Sequence, residues 1–198
     1  MRILVVGGSG TIGSAVVEAL RDRHEVITAS RRADIAVDMT DPASVDAMFG
    51  RVGEVDAVVC TGGGAPFVAL AQASPTDFAM GFADKLGGQI NLVLRGFEHV
   101  RDGGSFTLIT GVLAREPIAT GAISSTINGG LEAFVVAAAT ELPRGLRINA
   151  VSPSVLEESL DKYGKFFPGF APVSAADVAR AFVKSVEGSH TGRVYALG

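Results

Sequence analysis

The sequence predicts one domain over residues 1–198 with a doubly wound α/β fold, a parallel sheet of about seven strands with helices on both faces. Three observations predict it. The chain opens with a β-branched apolar run that enters a glycine cluster and continues as a helical pattern. Strand-like and helical segments then alternate along the rest of the chain, the pattern of right-handed βαβ units. Finally, 198 residues, 47% hydrophobic with a single Cys, suffice to bury one large core without disulfides.

In chain order, the first strand contains Ile3-Leu4-Val5-Val6, and the turn after it carries Gly7, Gly10 and Gly13 around Ser9, Thr11 and Ile12. Side-chain-free residues at that spacing let the backbone turn sharply and approach a pyrophosphate, whose charge meets free N–H groups at the start of the next helix. A glycine triplet alone is weak evidence. Placed at the first strand-to-helix junction, it predicts a Rossmann-type dinucleotide site. The second strand, residues 25–32, ends in Ser30, Arg31 and Arg32 where an acidic residue would accept hydrogen bonds from a ribose 2′-hydroxyl. Arg31 offers a planar fork to a 2′-phosphate and the Ser30 hydroxyl a second donor, so NADP(H) is expected in preference to NAD(H). Arg32 reads equally as a phosphate contact or a solvated surface arginine.

Residues 34–42 read as a short strand passing into a helix opened by Pro42, with Asp41 or Thr40 as its cap. Residues 55–60 form the next strand, ending in Thr61-Gly62-Gly63-Gly64-Ala65. This second glycine loop stands on the carboxyl edge of the sheet, where backbone can approach a cofactor ribose. Helical patterns cover residues 76–84 and 86–100, strands 104–110 and 146–151 bracket a long apolar helix over 121–142, and a helix over 175–186 precedes a closing strand at 193–197.

A net charge of −4 gives no basic footprint for nucleic acid, so a small molecule is the expected partner. No leader pattern or membrane-length apolar run is present, which points to a cytoplasmic protein with no membrane partner. His24, His99 and His190 lack ligand spacing, so no metal is expected, and Cys60 reads as a buried small hydrophobe.

Along nearly its whole length the chain resembles the short-chain dehydrogenase/reductase family. Besides Gly7, Gly10 and Gly13, the segment Asp38-Met39-Thr40-Asp41 resembles the family's adenine-contacting segment, and Thr61-Gly62-Gly63 is similar to its Asn-Ala-Gly loop. The run Arg147-Ile148-Asn149-Ala150-Val151-Ser152-Pro153-Ser154 resembles the segment beneath the nicotinamide, which brings Pro153 and Val155 into the expected cofactor set. Thr11 stands where the commonest glycine turn has glycine, a spacing closer to the family's atypical and extended members. The resemblance also implies helix-pair association through the apolar stretch around Phe134-Val135-Val136, giving a homodimer or homotetramer.

The resemblance breaks at the chemistry. The family uses a Ser after the fifth strand, a Tyr on the next helix as proton donor, and a Lys four residues later that lowers the Tyr pKa and holds the nicotinamide ribose. Aligning Gly129-Gly130-Leu131 with the family's Ala-Gly-Leu puts Gly111, Ser124 and Asn128 at those three positions. A serine hydroxyl is too weak an acid to act as a phenol does, and Asn128 can bond ribose but carries no charge. The family's Asn in the preceding helix falls near Lys85, which reads either as a relocated cation or as a surface lysine.

Thr110, Glu116, Ser125, Glu157, Glu158 and Tyr163 are further polar groups expected near the cleft. Glu158 falls beside the expected pyrophosphate unless it turns into the substrate pocket, and Tyr163 lies in a covering segment with Phe166, Phe167 and Phe170. Two functions stand. One is an NADP(H)-dependent oxidoreductase using Lys85, Ser124, Asn128 and Thr110 in a rearranged site. The other is a catalytically silent NADP(H)-binding sensor or structural protein.

Overall fold

A computed structural model describes residues 1–198. Six parallel strands form one sheet: β1 (Arg2–Val6), β2 (Glu25–Ala29), β3 (Val55–Cys60), β4 (Val100–Ile109), β5 (Arg147–Pro153) and β6 (Val194–Leu197). Their spatial order is β2-β1-β3-β4-β5-β6, so successive crossovers run away from β1 in opposite directions, and the carboxyl ends of β1 and β3 flank the switch point where a ligand crevice opens. The doubly wound α/β fold with helices on both faces is as expected. The short run after Arg32 contributes only the single bridge between Ser30 and Ala36: Ile35, Val37 and Met39 turn inward while Asp34 and Ala36 are exposed, but no ladder forms.

Period-two alternation in β1 sends Leu4 and Val6 to one face and Ile3 and Val5 to the other. The first face is covered by α2 (Pro42–Val52), α4 (Gly88–Gly96) and α5 (Ala122–Ala138), through Phe49, Leu92, Val93, Ile123, Ile127, Leu131 and Val135. The second is covered by α1 (Thr11–Arg21) and α7 (Ala175–Glu187), through Val16, Leu20, Val178, Phe182 and Val186. These side chains are essentially solvent-free, and each fully buried Leu, Ile or Phe contributes about 1.5–3 kcal/mol of transfer free energy.

The cap expected at Pro42 is Asp41, whose carboxylate accepts from the Ala43 N–H at 3.0 Å. The helical run expected over residues 86–100 is broken differently from its sequence pattern. α3 (Pro75–Gly81), capped reciprocally by Ser74 and Asp77, passes through a π-helical turn at Phe82–Gly87 into α4. A π turn inserts an extra residue and re-aims the side chains on it, among them Lys85. The segment over the cleft is short: α6 (Leu160–Tyr163) followed by a single turn, Gly164–Phe166. No helix is long and apolar enough to cross a membrane.

Candidate active site

A groove of about 650 Å³ opens at the carboxyl ends of β1 and β3, lined by Gly7, Ser9, Gly10, Ser30, Arg31, Arg32, Asp38, Met39, Thr61, Gly62 and Gly63. Gly7 turns with φ +87°, and a Cβ on it would stand 2.8 Å from the Thr61 hydroxyl. A Cβ on Gly13 would overlap the Gly7 carbonyl, so the first turn of α1 fits under the loop only as glycine. Gly10, by contrast, faces open space apart from that carbonyl at 3.4 Å, the cradle a pyrophosphate needs at a helix start. Thr11 is exposed at the first position of α1, Ile12 lines the inner cleft, and Gly13 lies packed under the turn.

Arg31 and Arg32 are exposed at the far end of the groove, and neither forms a salt bridge within the chain. Asp38 accepts from both the hydroxyl and the N–H of Thr40, at 2.8 and 2.9 Å, and these bonds hold its carboxyl below the usual range. Asn91 of α4 donates to the Met39 carbonyl at 3.0 Å, pinning the groove's floor.

The groove continues through Thr61 and Gly63 into an inner cleft of about 320 Å³ between β4, α5 and the covering segment. Gly111, Ser124, Asn128, Thr110, Lys85, Pro153 and Tyr163 all line it. The three positions where the family pattern has Ser, Tyr and Lys therefore converge here, although none carries the expected side chain. A Cβ on Gly111 would lie 3.0 Å from Asn128 Nδ2, so Asn128 occupies the space in front of the missing serine. Asn128 is 4% exposed and its Oδ1 accepts nothing within the chain. A buried acceptor without a donor is costly, by about 1–3 kcal/mol. A cofactor ribose hydroxyl has the chemistry to satisfy it.

Lys85 is the one cationic side chain among the residues that line this cleft. The π turn directs its side chain inward, and its Nζ donates to the Thr110 carbonyl at 3.0 Å. Gly63, at φ +106°, lets the glycine loop pass within contact of the lysine stem, a Cβ there standing 3.0 Å from Lys85 Cγ. Burial draws the ammonium down to about 8, opposed by the nearby Cys60 and Asp84. Cys60, wholly buried, has its thiol pushed up to about 12 and is a core residue, as expected.

Several expected positions lie elsewhere in the site. Thr110 turns its hydroxyl away, donating to Glu132 Oε1 at 3.1 Å, while its carbonyl serves Lys85. Glu132 also accepts from Arg115 at 2.7 Å and from Ser152 at 2.8 Å, clamping the ends of β4 and β5 together. Glu158 meets neither the groove nor the inner cleft: its Oε1 accepts from the Ala175 N–H at 2.9 Å, because a carboxylate at the start of α7 finds unpaired donors there. Val155 is buried behind the cleft, its carbonyl held by the Val173 N–H at 3.0 Å. Glu116, Ser125 and Glu157 do not line the cleft. The three histidines are separate: His24 pairs with Glu187, His99 stacks on Phe49, and His190 meets Tyr195.

Three contributors were not legible in the sequence. Asp84 lines the groove and accepts from the Gly64 N–H at 3.0 Å, fixing the second glycine loop. Gln89 is wholly buried and bonds both the N–H and the carbonyl of Ile109, holding the end of β4 as a neighbouring strand would. Phe67 forms the outer wall, 5.7 Å from the stacked Phe166 and 6.1 Å from Tyr163. Only the distant aromatic cluster over residues 163–170 hinted at that wall.

Residues 9–196 match the family described as enoyl-(acyl carrier protein) reductase. No curated protein matches the chain. Among solved structures, the protein lin1944 from Listeria innocua is 52% identical over 100% of both chains, with a TM-score of 0.98. A small-chain dehydrogenase in complex with NADPH is 27% identical over 100% of this chain and 96% of that one, with a TM-score of 0.89. A short chain dehydrogenase from Burkholderia cenocepacia J2315 in complex with NADP shares the fold at a TM-score of 0.83, with 23% identity over 99% and 95% of the two chains. With a family match over nearly every residue and the same architecture at full length, this chain belongs to the short-chain dehydrogenase/reductase family.

Proposed function

We propose that the chain is an NADP(H)-dependent oxidoreductase acting on a small carbonyl or alcohol, with the Lys85 amine standing in for the absent phenol. The observation that carries this reading is Lys85 itself, an inward cation at the junction of the groove and the inner cleft, near neutrality in its acidity. An acid poised near the working pH is the best proton donor a site can hold. NADP(H) when bound supplies or accepts the hydride.

Around it, the glycine turn and the start of α1 hold the pyrophosphate, Arg31 with Ser30 receives the 2′-phosphate, and Asn128 Oδ1 accepts from a ribose hydroxyl. Ser124 donates a hydrogen bond to the substrate oxygen while protonated Lys85 delivers the proton that the new alkoxide needs. In the oxidative direction neutral Lys85 takes that proton back. NADPH-bound relatives and the two free arginines support the preference for NADP(H) over NAD(H).

Leu94 on α4 and Val136 on α5, each 54% exposed, favour a homodimer or homotetramer through those helices, readable by light scattering. A cytoplasmic location accords with the acidic, span-free chain.

The second reading, a silent NADP(H) sensor or structural protein, is favoured by Gly111, Ser124 and Asn128 together. NADPH fluorescence titration followed by depletion with a carbonyl panel separates the two. Binding with turnover supports the oxidoreductase, binding without turnover supports the sensor, and absence of binding contradicts both.

A further inference from the structure

We propose that Lys85 is also a covalent capture site for aromatic aldehydes, its Nζ condensing with an aldehyde seated among Phe67, Tyr163 and Phe167. The inference shares the cleft of the proposed reduction but needs neither cofactor nor hydride.

The geometry carries it in three steps. First, Lys85 forms no salt bridge: its one hydrogen-bond partner is the neutral Thr110 carbonyl, and the adjacent Asp84 carboxylate, bonded to the Gly64 N–H, offsets the effect of burial only in part. An amine so placed loses its proton more readily than a paired one, and only the neutral form is a nucleophile. Second, its stem is fixed. The π turn and the close passage of Gly63 against Cγ hold the side chain inward, so little freedom is lost on reaction.

Third, the cleft in front of it is aromatic and nearly free of charge. Phe67, Tyr163 and Phe167 line it, Tyr163 is its only other ionisable side chain, and the Phe67 and Phe167 rings meet nearly edge to face at 6.4 Å. A flat ring packs against such walls in offset or T-shaped contact, within the same cleft that Lys85 lines. In the reaction the Nζ lone pair forms a C–N bond to the aldehyde carbon, and the carbonyl oxygen leaves as water with both amine hydrogens. The product is a neutral imine, with no change in oxidation state.

The chain has only four lysines, at 85, 162, 165 and 184, so peptide mapping assigns the adduct without ambiguity. The full cofactor-free chain is incubated with benzaldehyde and sodium cyanoborohydride, and the N-benzyl adducts are quantified by mass spectrometry. With its amine at about 8, Lys85 carries a free-amine fraction on the order of a hundred times that of an ordinary lysine at neutral pH.

The expected result is labelling of Lys85 at least about tenfold above each of the other lysines, rising as pH rises through about 8. Lys85→Arg abolishes that adduct, and Phe67→Ala lowers it for benzaldehyde but not for acetaldehyde. Equal labelling of all four lysines, or none at Lys85, overturns the proposal, and the wild-type measurement decides even if a variant fails to fold. NADPH depletion is read separately: turnover without a Lys85 adduct overturns the capture site alone, whereas an adduct without turnover overturns only the oxidoreductase reading.

Discussion

The dinucleotide groove and the inner cleft share one edge of the sheet but are built by different means. In the groove the recognising groups are mostly backbone: the Gly7 turn, the N–H groups opening α1 and the second glycine loop, with two arginines added at the far end. In the inner cleft they are single side chains from separate elements, Lys85 before α4, Ser124 and Asn128 on α5, Phe67 and Tyr163 from covering segments. A backbone-made site survives side-chain exchange as long as its glycines stay. A site made of side chains can be changed one residue at a time without disturbing the fold, and here Gly111, Ser124 and Asn128 stand where the family pattern has Ser, Tyr and Lys.

The sharpest way to break the contrast is to attack each half separately. Lys85→Met is expected to cut carbonyl reduction by about 10²- to 10⁴-fold, the usual contribution of a general acid, while NADPH affinity measured by fluorescence stays within error. Next in size, Arg31→Ala removes a charge-assisted contact worth about 1.5–3 kcal/mol, so NADPH binding weakens by roughly 10- to 100-fold while NADH binding is unchanged. Gly13→Ala forces a Cβ against the Gly7 carbonyl. Overpacking of that kind costs about 1–3 kcal/mol in denaturant unfolding and should weaken both dinucleotides together.

Lys85 also leaves a signature in stability. Its pKa is lowered in the folded chain from 10.5 to about 8, so between those values the unfolded state binds more protons, and stability rises with pH. Below about 8 the buried charge is a standing cost. Lys85→Met should therefore raise Tm at neutral pH, with the gain shrinking in strong alkali, as scanning calorimetry would record. The smallest effect is reserved for Glu158→Gln, which weakens a helix-terminal contact worth about 0.3–1 kcal/mol and leaves NADPH affinity unchanged, since that carboxylate caps α7.

The same contrast governs what was legible in the sequence. Gly7, Gly10 and Gly13, the strand–helix alternation and the Asp41 cap are local, and local physics writes them into short windows of sequence. The register that put Gly111, Ser124 and Asn128 together was legible because one helix and one strand end carry all three. Lys85 could be placed near the site but not oriented, because its direction depends on a π turn that no periodicity announces. Glu158 was misplaced because a helix start 17 residues later competes for its carboxylate. Phe67 and Gln89 act through partners distant in sequence, and neither has a local signal.

The proposal gives the Lys85 amine the part of the absent phenol as proton donor. It is tested most directly by the pH dependence of NADPH-driven carbonyl reduction at saturating cofactor, wild type beside Lys85→Met. The expected wild-type rate is constant near neutrality and falls as pH rises through about 8, with that fall absent from a much slower variant. A wild-type rate indifferent to pH across that range, or a variant as fast as the wild type, would contradict it.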